Sequence, residues 1–298
     1  MSAHATTSAS PTTSASATRP QWQRAALWLV GLELLLLFAP TLVWLWGRWT
    51  LSVWHHAHGL LIPPVVAYFI REELQGVKHL PASSSAWGFA ILVPALALHA
   101  LDAGMHTELL SAVALVMAMP GLSLLFLGVA RTRAILFPLA FLAFALPIPL
   151  ALTETIHLQL RYIATAGTSS IVPLLGIPLF VEGTTLHMAT GSLQVADACS
   201  GFSTLYAAVA VAFLTAYSTR SPTRRVLVLL SAAPLAIVAN VIRVVALVVM
   251  VVWQGPGILE TFVHPLSGMM TFAMSLPVIF WLGGDTRRDG PLVQEAHP

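Results

Sequence analysis

Charge is what this sequence has least of. Only 9% of its 298 residues are charged, against about 25% in a soluble globular chain. Hydrophobic residues make up 57%, and the mean hydropathy is +0.83. A chain so poor in charge is solvated mostly by lipid, which excludes a soluble globular fold. Cysteine is nearly absent too: Cys199 stands alone, so no intramolecular disulfide can form and no second thiol can quench it. No helix-length pattern recurs along the chain, which excludes an obvious internal duplication. No cleavable leader is expected at the N terminus. Its first twenty residues are rich in Ser, Thr and Ala, and the apolar run that follows is too long for a signal-peptide core. That run is expected to be an uncleaved signal-anchor.

What is present is a series of long apolar runs. A membrane helix needs about 20 apolar residues, and eight runs are candidates: 24–46, 51–70, 86–101, 108–129, 134–151, 199–218, 226–253 and 262–282. The expected fold class is therefore an all-α integral membrane protein of about eight transmembrane helices. Cations are strongly biased. Arg19, Arg24, Arg71, Lys78, Arg131, Arg133, Arg220, Arg224, Arg225, Arg287 and Arg288 fall on one side, and only Arg48 and Arg161 on the other. By the positive-inside rule both termini are expected in the cytoplasm, with the chain in the cytoplasmic (inner) membrane. The net charge of +2 is this topology signal and calls for no nucleic-acid partner. Three regions follow: a disordered cytoplasmic tail at 1–22, a membrane domain at 23–284 and a cytoplasmic tail at 285–298.

Residues 152–198, between spans five and six, form an extracytoplasmic loop too long to be idle. Its 155–171 segment is expected to be an interfacial helix, with His157, Arg161 and the Ser/Thr residues facing water. The 177–195 segment alternates around Gly183 and Gly191 and is expected to form a small β-hairpin. It leads directly to the thiol.

Three groups near the outer face could do chemistry together. Asp197 can cap span six, placing Cys199 in its first turn, where free amide donors and the helix dipole favour a thiolate. The Asp197 carboxylate opposes this, so a cationic partner is needed. Arg243 lies inside the apolar run 226–253, where an arginine costs roughly 3 kcal/mol and marks a site by default. It is about 27 Å along the helix from Arg225 at 1.5 Å per residue, and Asn240, three residues earlier, shares its face. A structural role is the alternative for Arg243, paired with a carboxylate such as Glu33. His264 opens the last span with Pro265 at the first helical position, and a thiol with a histidine base is a standard nucleophile pair. The cluster His55, His56 and His58 invites zinc, but adjacent histidines rarely ligate one ion. No metal is expected, and no cofactor.

These segments resemble the exosortase/archaeosortase family. The likeness rests on Asp197-Ala-Cys-Ser-Gly201, Asn240-Val-Ile-Arg243 and His264-Pro-Leu-Ser-Gly268, with Trp54-His-His-Ala-His-Gly-Leu-Leu-Ile-Pro63, Phe137-Pro-Leu-Ala-Phe-Leu142 and Pro147-Ile-Pro149. It implies a membrane cysteine transpeptidase with Cys199, Arg243 and His264 as catalytic residues. Asn240, His58, Ser200 and Gly201 take supporting or substrate-binding roles. The implied partners are membrane-anchored exported proteins ending in a Pro-Glu-Pro-type motif, a helix and a basic cluster, as in protein sorting linked to exopolysaccharide. Two other classes compete. A transporter would line a polar path with Arg243, Glu33 and Asn240, although such proteins often show repeated halves. A non-catalytic component of exopolysaccharide export would tolerate loss of the thiol.

Overall fold

The computed structural model describes residues 21–50, 58–81, 83–195 and 201–284. Ten α-helices and one small sheet account for most of them: α1 Gln21–Leu37, α2 Ala39–Thr50, α3 His58–Gly76, α4 Trp87–Met105, α5 Leu109–Ala134, α6 Leu136–Phe141, α7 Leu150–Ile171, α8 Phe202–Ser218, α9 Pro222–Gln254 and α10 Val263–Gly283. Strands β1 Phe180–Glu182, β2 Thr185–Met188 and β3 Gly191–Gln194 lie between α7 and α8. Most of the tails expected at 1–22 and 285–298 lies outside the described residues, as do His55, His56, Asp197, Cys199 and Ser200.

Among the described residues, four helices are long and apolar enough to cross a membrane: Trp87–Met105, Leu109–Ala134, Pro222–Gln254 and Leu266–Gly283. A fifth span is reached if the first apolar run counts as one. The chain is thus a multi-pass helical membrane protein. The other expected runs take different forms, and proline explains two of them. The run 24–46 was expected to be continuous, but it breaks at Phe38, two residues before Pro40. The run 134–151 shrinks to a short apolar helix, Leu136–Ala145. Pro147 and Pro149 cannot donate to a helix ladder, and each biases the residue before it toward extended backbone. Span six is α8, only 17 residues long.

The loop is more ordered than a hairpin. Its strands form an antiparallel sheet in the order β1-β2-β3, with Glu182 opposite Thr185 and Met188 opposite Gly191. Gly183 sits in the first turn at φ +60°, a left-handed conformation that glycine adopts without strain. The apolar side of the sheet, Leu186, Leu193 and Val195, is fully packed on Ala164 and Val172 from the α7 segment and on Val244, Leu247 and Val248 of α9.

The α7 helix begins at Leu150, five residues before the expected start, and its orientation corrects the sequence reading. His157 is 6% exposed and Arg161 half-buried; neither faces water. Thr153, Thr165 and Thr168 are buried on the same inward side, while Leu152, Ile156, Tyr162 and Ile163 are exposed together with Glu154, Thr155, Gln159 and Ser170, so only part of the expected water-facing set is exposed.

Elsewhere the helices approach through small residues. Ala208, Ala212 and Ala216 of α8 pack on Val228, Ala232 and Ala236 of α9 and on Ile279 of α10. In lipid such contacts depend on close van der Waals fit rather than on a hydrophobic drive. The α4–α5 contact is closest at Gly88, where a Cβ would meet the Gly121 carbonyl oxygen at 2.5 Å. A Gly88→Ala variant should lose about 1–3 kcal/mol, since overpacking a tight contact costs that much. Gly104 has nothing within 4 Å of a Cβ, so Gly104→Ala should melt like the parent. Thermal unfolding in detergent compares the two.

Candidate active site

The start of α8, the C-terminal half of α9 and the start of α10 bring three sequence segments together. On α9, Asn240 and Arg243 are 3% and 7% exposed, on the face that also carries Ala236, Val244 and Leu247. Gly201 caps α8 at φ +81°, and a Cβ there would lie 2.5 Å from Asn240 Cγ. Only glycine satisfies both the left-handed backbone and this approach. Gly201 is therefore held against Asn240. Val195, at the end of the sheet, is fully buried, and its N–H donates to the Thr184 carbonyl at 2.9 Å.

Arg243 reaches the opposite way, to α10. Its Nε donates to Ser267 Oγ at 2.9 Å. A Cβ on Gly268 would lie 3.5 Å from Arg243 Cζ and Nη2, so the guanidinium rests against the bare backbone of that residue. Hydroxyl and glycine together set the plane of a buried cation. Glu33, the carboxylate considered as its partner, is exposed on α1. His264 is the second residue of α10, within a turn of Ser267; its side chain is outside the described residues, as are Cys199 and Ser200.

His58 belongs to a ladder of rings around the first turns of α8. Its ring lies 5.0 Å from Tyr206, Tyr206 stacks 6.2 Å from Phe202, and Phe202 lies 4.4 Å from His157 on α7. Each contact is tilted or stacked, the geometry aromatic pairs prefer. A narrow cleft between α7, α8 and α9 is walled by Leu160, Ala164, Gly201, Leu205, Ala236 and Asn240. Among the described residues no three His, Cys, Asp or Glu side chains cluster as a metal site.

Sequence reasoning singled out Asn240, Arg243, Gly201 and His58 but missed four contacts. Ser267 and Gly268 were quoted only as part of the His264 block, although a hydroxyl and a glycine one turn past a histidine can seat a second side chain. Phe202 and Tyr206 carried the ordinary signal of an apolar helix. His157 was assigned to water because its spacing from Thr153, Arg161 and Thr165 names a shared face without naming its neighbour.

The fold and this site define a class: a polytopic helical membrane protein with a buried arginine, an asparagine and a glycine-capped helix start gathered at one end of its last three helices. The chain matches the transmembrane exosortase family over residues 46–281 and belongs to it. No curated protein matches the chain, and no solved structure does.

The two glycines should separate cleanly. Gly201→Ala combines a left-handed φ with a 2.5 Å approach and should cost about 2–4 kcal/mol, adding backbone strain to overpacking. Gly268→Ala makes only ordinary 3.5 Å contacts and should unfold within about 0.5 kcal/mol of the parent, as substitutions outside strained or tightly packed sites do. Denaturation in detergent micelles tests both; an unperturbed Gly201→Ala protein would dissolve the Gly201–Asn240 clamp.

Proposed function

We propose that this chain is a membrane cysteine transpeptidase that cleaves exported proteins near a C-terminal, Pro-Glu-Pro-type sorting signal at the outer face of the cytoplasmic membrane. The observation that carries the reading is the meeting of three segments. Gly201, two residues beyond Cys199, abuts Asn240, and Arg243, one turn along, is held by Ser267 and Gly268 beside His264. Membership of the transmembrane exosortase family supports it.

In this reading the Cys199 thiolate attacks a backbone carbonyl carbon of the substrate. The carbonyl π electrons move onto oxygen, and the planar Arg243 guanidinium stabilises the thiolate before attack and the oxyanion after it. Fixed charge of this kind is often the largest single contribution to catalysis. The imidazolium of His264 gives its proton to the departing amine as the C–N bond breaks, leaving a thioester on Cys199. The neutral imidazole then takes a proton from the acceptor (an amine, a lipid or glycan group, or water), which attacks the thioester carbon; the C–S bond breaks and the Cys199 thiolate and His264 imidazolium are restored. Asn240 holds Gly201 and so the end of the nucleophile segment. Ser200 and His58 support the first turn of α8.

The topology that goes with this reading has eight spans, with both termini inside. Reporter fusions after Arg71, Arg131 and Arg220 should all read cytoplasmic, and an external signal at any of them would put the segments on opposite faces.

Two substitutions test the chemistry, with the tagged client's mature form measured in membranes. Cys199→Ala should abolish processing and leave the protein inserted, because losing a thiol changes little packing. Arg243→Lys should lose at least about 100-fold, nearly as much as Arg243→Ala. An ammonium cannot reproduce the forked guanidinium, and removing one oxyanion donor typically costs that factor. Normal mature client in the Cys199→Ala strain would end the nucleophile assignment.

A further inference from the structure

The rings at the start of α8 do more than the chemistry above requires, and one polar group among them is left over. Gly201 and Leu205 face the cleft toward α9. Phe202 and Tyr206, each one position on, turn to another side. There they meet His58 of α3, His157 of α7 and Phe144 of the short helix Leu136–Ala145. Tyr206 is the centre of this set: its ring lies 5.0 Å from His58, 5.5 Å from Phe144 and 6.2 Å from Phe202. Its hydroxyl has no hydrogen-bond partner among the described residues. A tyrosine packed among other rings ordinarily gives its O–H to an acceptor, so a spare donor here points to a ligand.

The ring surface is fixed from behind. Ile62 and Val66 of α3, Phe141 and Ala145 of the short helix and Ala210 of α8 form a buried cluster, and Phe144 packs against it. Trp49 Nε1 donates to the Ala145 carbonyl at 2.9 Å. Gly59, next to His58 in sequence, leaves room for the Trp49 ring. On the other side His58, Phe144, Phe202 and Tyr206 are each half-buried, so part of every ring is open. Rings already held in place need little ordering when a ligand arrives.

We propose that His58, Phe144, Phe202 and Tyr206 receive an extended, proline-bearing segment of the peptide substrate, with the Tyr206 O–H donating to one of its backbone carbonyls. Such segments dock on aromatic-lined surfaces because their backbone is already ordered. The hydrogen-bond sense also matches. Proline has no N–H to give, and a polyproline helix bonds none of its carbonyls internally, so the chain offers acceptors where Tyr206 offers a donor. The size matches too: one turn of that helix is about 9 Å long, enough to lie along rings 5.0 and 6.2 Å apart. A lipid acyl chain would cover the rings but brings no acceptor for the hydroxyl, which makes a peptide the favoured occupant. The source of the segment rests on the transpeptidase reading: Phe202 is three residues beyond Cys199, so a chain on these rings lies beside the first turns of α8. Tyr206 is then a specificity-determining residue.

The test separates docking from cleavage. Two fluorescent, water-soluble peptides are titrated onto the full-length Cys199→Ala protein in detergent and followed by polarisation. One holds a Pro-Glu-Pro-type segment without its helix; in the other both prolines are alanine. The proline peptide should bind about tenfold tighter, the scale of a few good ring contacts. Adding Tyr206→Phe keeps the ring and removes the donor, and should weaken the proline peptide about fivefold, as loss of one hydrogen bond does. Adding Tyr206→Leu should bring the two peptides level. If Tyr206→Leu fails to fold, Tyr206→Phe decides: a weaker proline peptide at an unchanged melting temperature supports the assignment, and an unchanged Kd overturns it. A proline preference that survives in folded Tyr206→Leu overturns it as well, and so does equal or absent binding of the two peptides. Cleavage is then read with Cys199 in place, in phosphatidylcholine vesicles, on a client that carries the segment and its helix. Cleavage without a proline preference in the binding assay removes this inference alone. The expected binding pattern with no cleavage keeps the docking surface and removes the transpeptidase reading.

Discussion

The whole arrangement around the starts of α8 and α10 depends on how one cation is held inside an apolar helix. Arg243 follows seventeen residues of which only Ser231, Pro234 and Asn240 break the aliphatic pattern. Burying it costs roughly 3 kcal/mol, and the return comes from α10: the Ser267 hydroxyl accepts from Nε, and Gly268 leaves room for the guanidinium plane. The helix start that carries His264 is thereby docked on α9 at the level of Arg243. Three residues back, Asn240 does the same for α8 by filling the space under Gly201. Two buried polar residues on one face of α9 thus set the positions of two neighbouring helix ends. Alanine packing lower in the bundle could not do this, because Ala208, Ala212, Ala232 and Ala236 offer close approach without direction.

That division explains which parts of the molecule were legible beforehand. Apolar runs are read well because lipid imposes length and composition together. Their ends are read badly where proline intervenes: Pro40, Pro147 and Pro149 cut runs that hydropathy joined, since hydropathy sees a side chain and not a missing donor. The hairpin reading caught the turn glycines Gly183 and Gly191 but counted two strands where three form. Both turns were marked; β1, only three residues long, is too short to show alternation.

The inward pairing of α9 was half visible. Asn240 and Arg243, three residues apart, announce a shared face, because one helix contains both ends of that relation. The Arg243–Ser267 bond joins residues 24 apart, and no local period encodes it. The α7 error has the same origin. Periodicity reported that His157, Arg161 and Thr165 lie together, and an assumption about solvent supplied the wrong neighbour. In a water-soluble chain a polar stripe faces water by default. In a membrane chain the lipid takes the apolar side, and the polar stripe turns to the protein.

Helix length ties the sheet to the site. The α9 helix has 33 residues, about 50 Å at 1.5 Å per residue, while the hydrocarbon layer is about 30 Å thick. From Pro222, Asn240 is reached after about 27 Å, and another 21 Å or so of helix follows. A helix this long cannot be covered by lipid along its whole length unless it is steeply tilted, and its last turns carry Val244, Leu247, Val248 and Val251, all essentially unexposed. Leu186, Leu193 and Val195 of the sheet, with Val172, pack on the first three of these, Val244, Leu247 and Val248, and the Thr190 hydroxyl reaches the Val251 carbonyl at 3.5 Å. The sheet therefore replaces lipid around the far end of α9. Because α8 starts at Phe202 beside Asn240, well below that end, the start of α8 is recessed under the sheet-clad tip of α9. A recessed helix start keeps bulk water from screening the field of Arg243, and low screening is the condition under which a single fixed charge has most effect on a reaction.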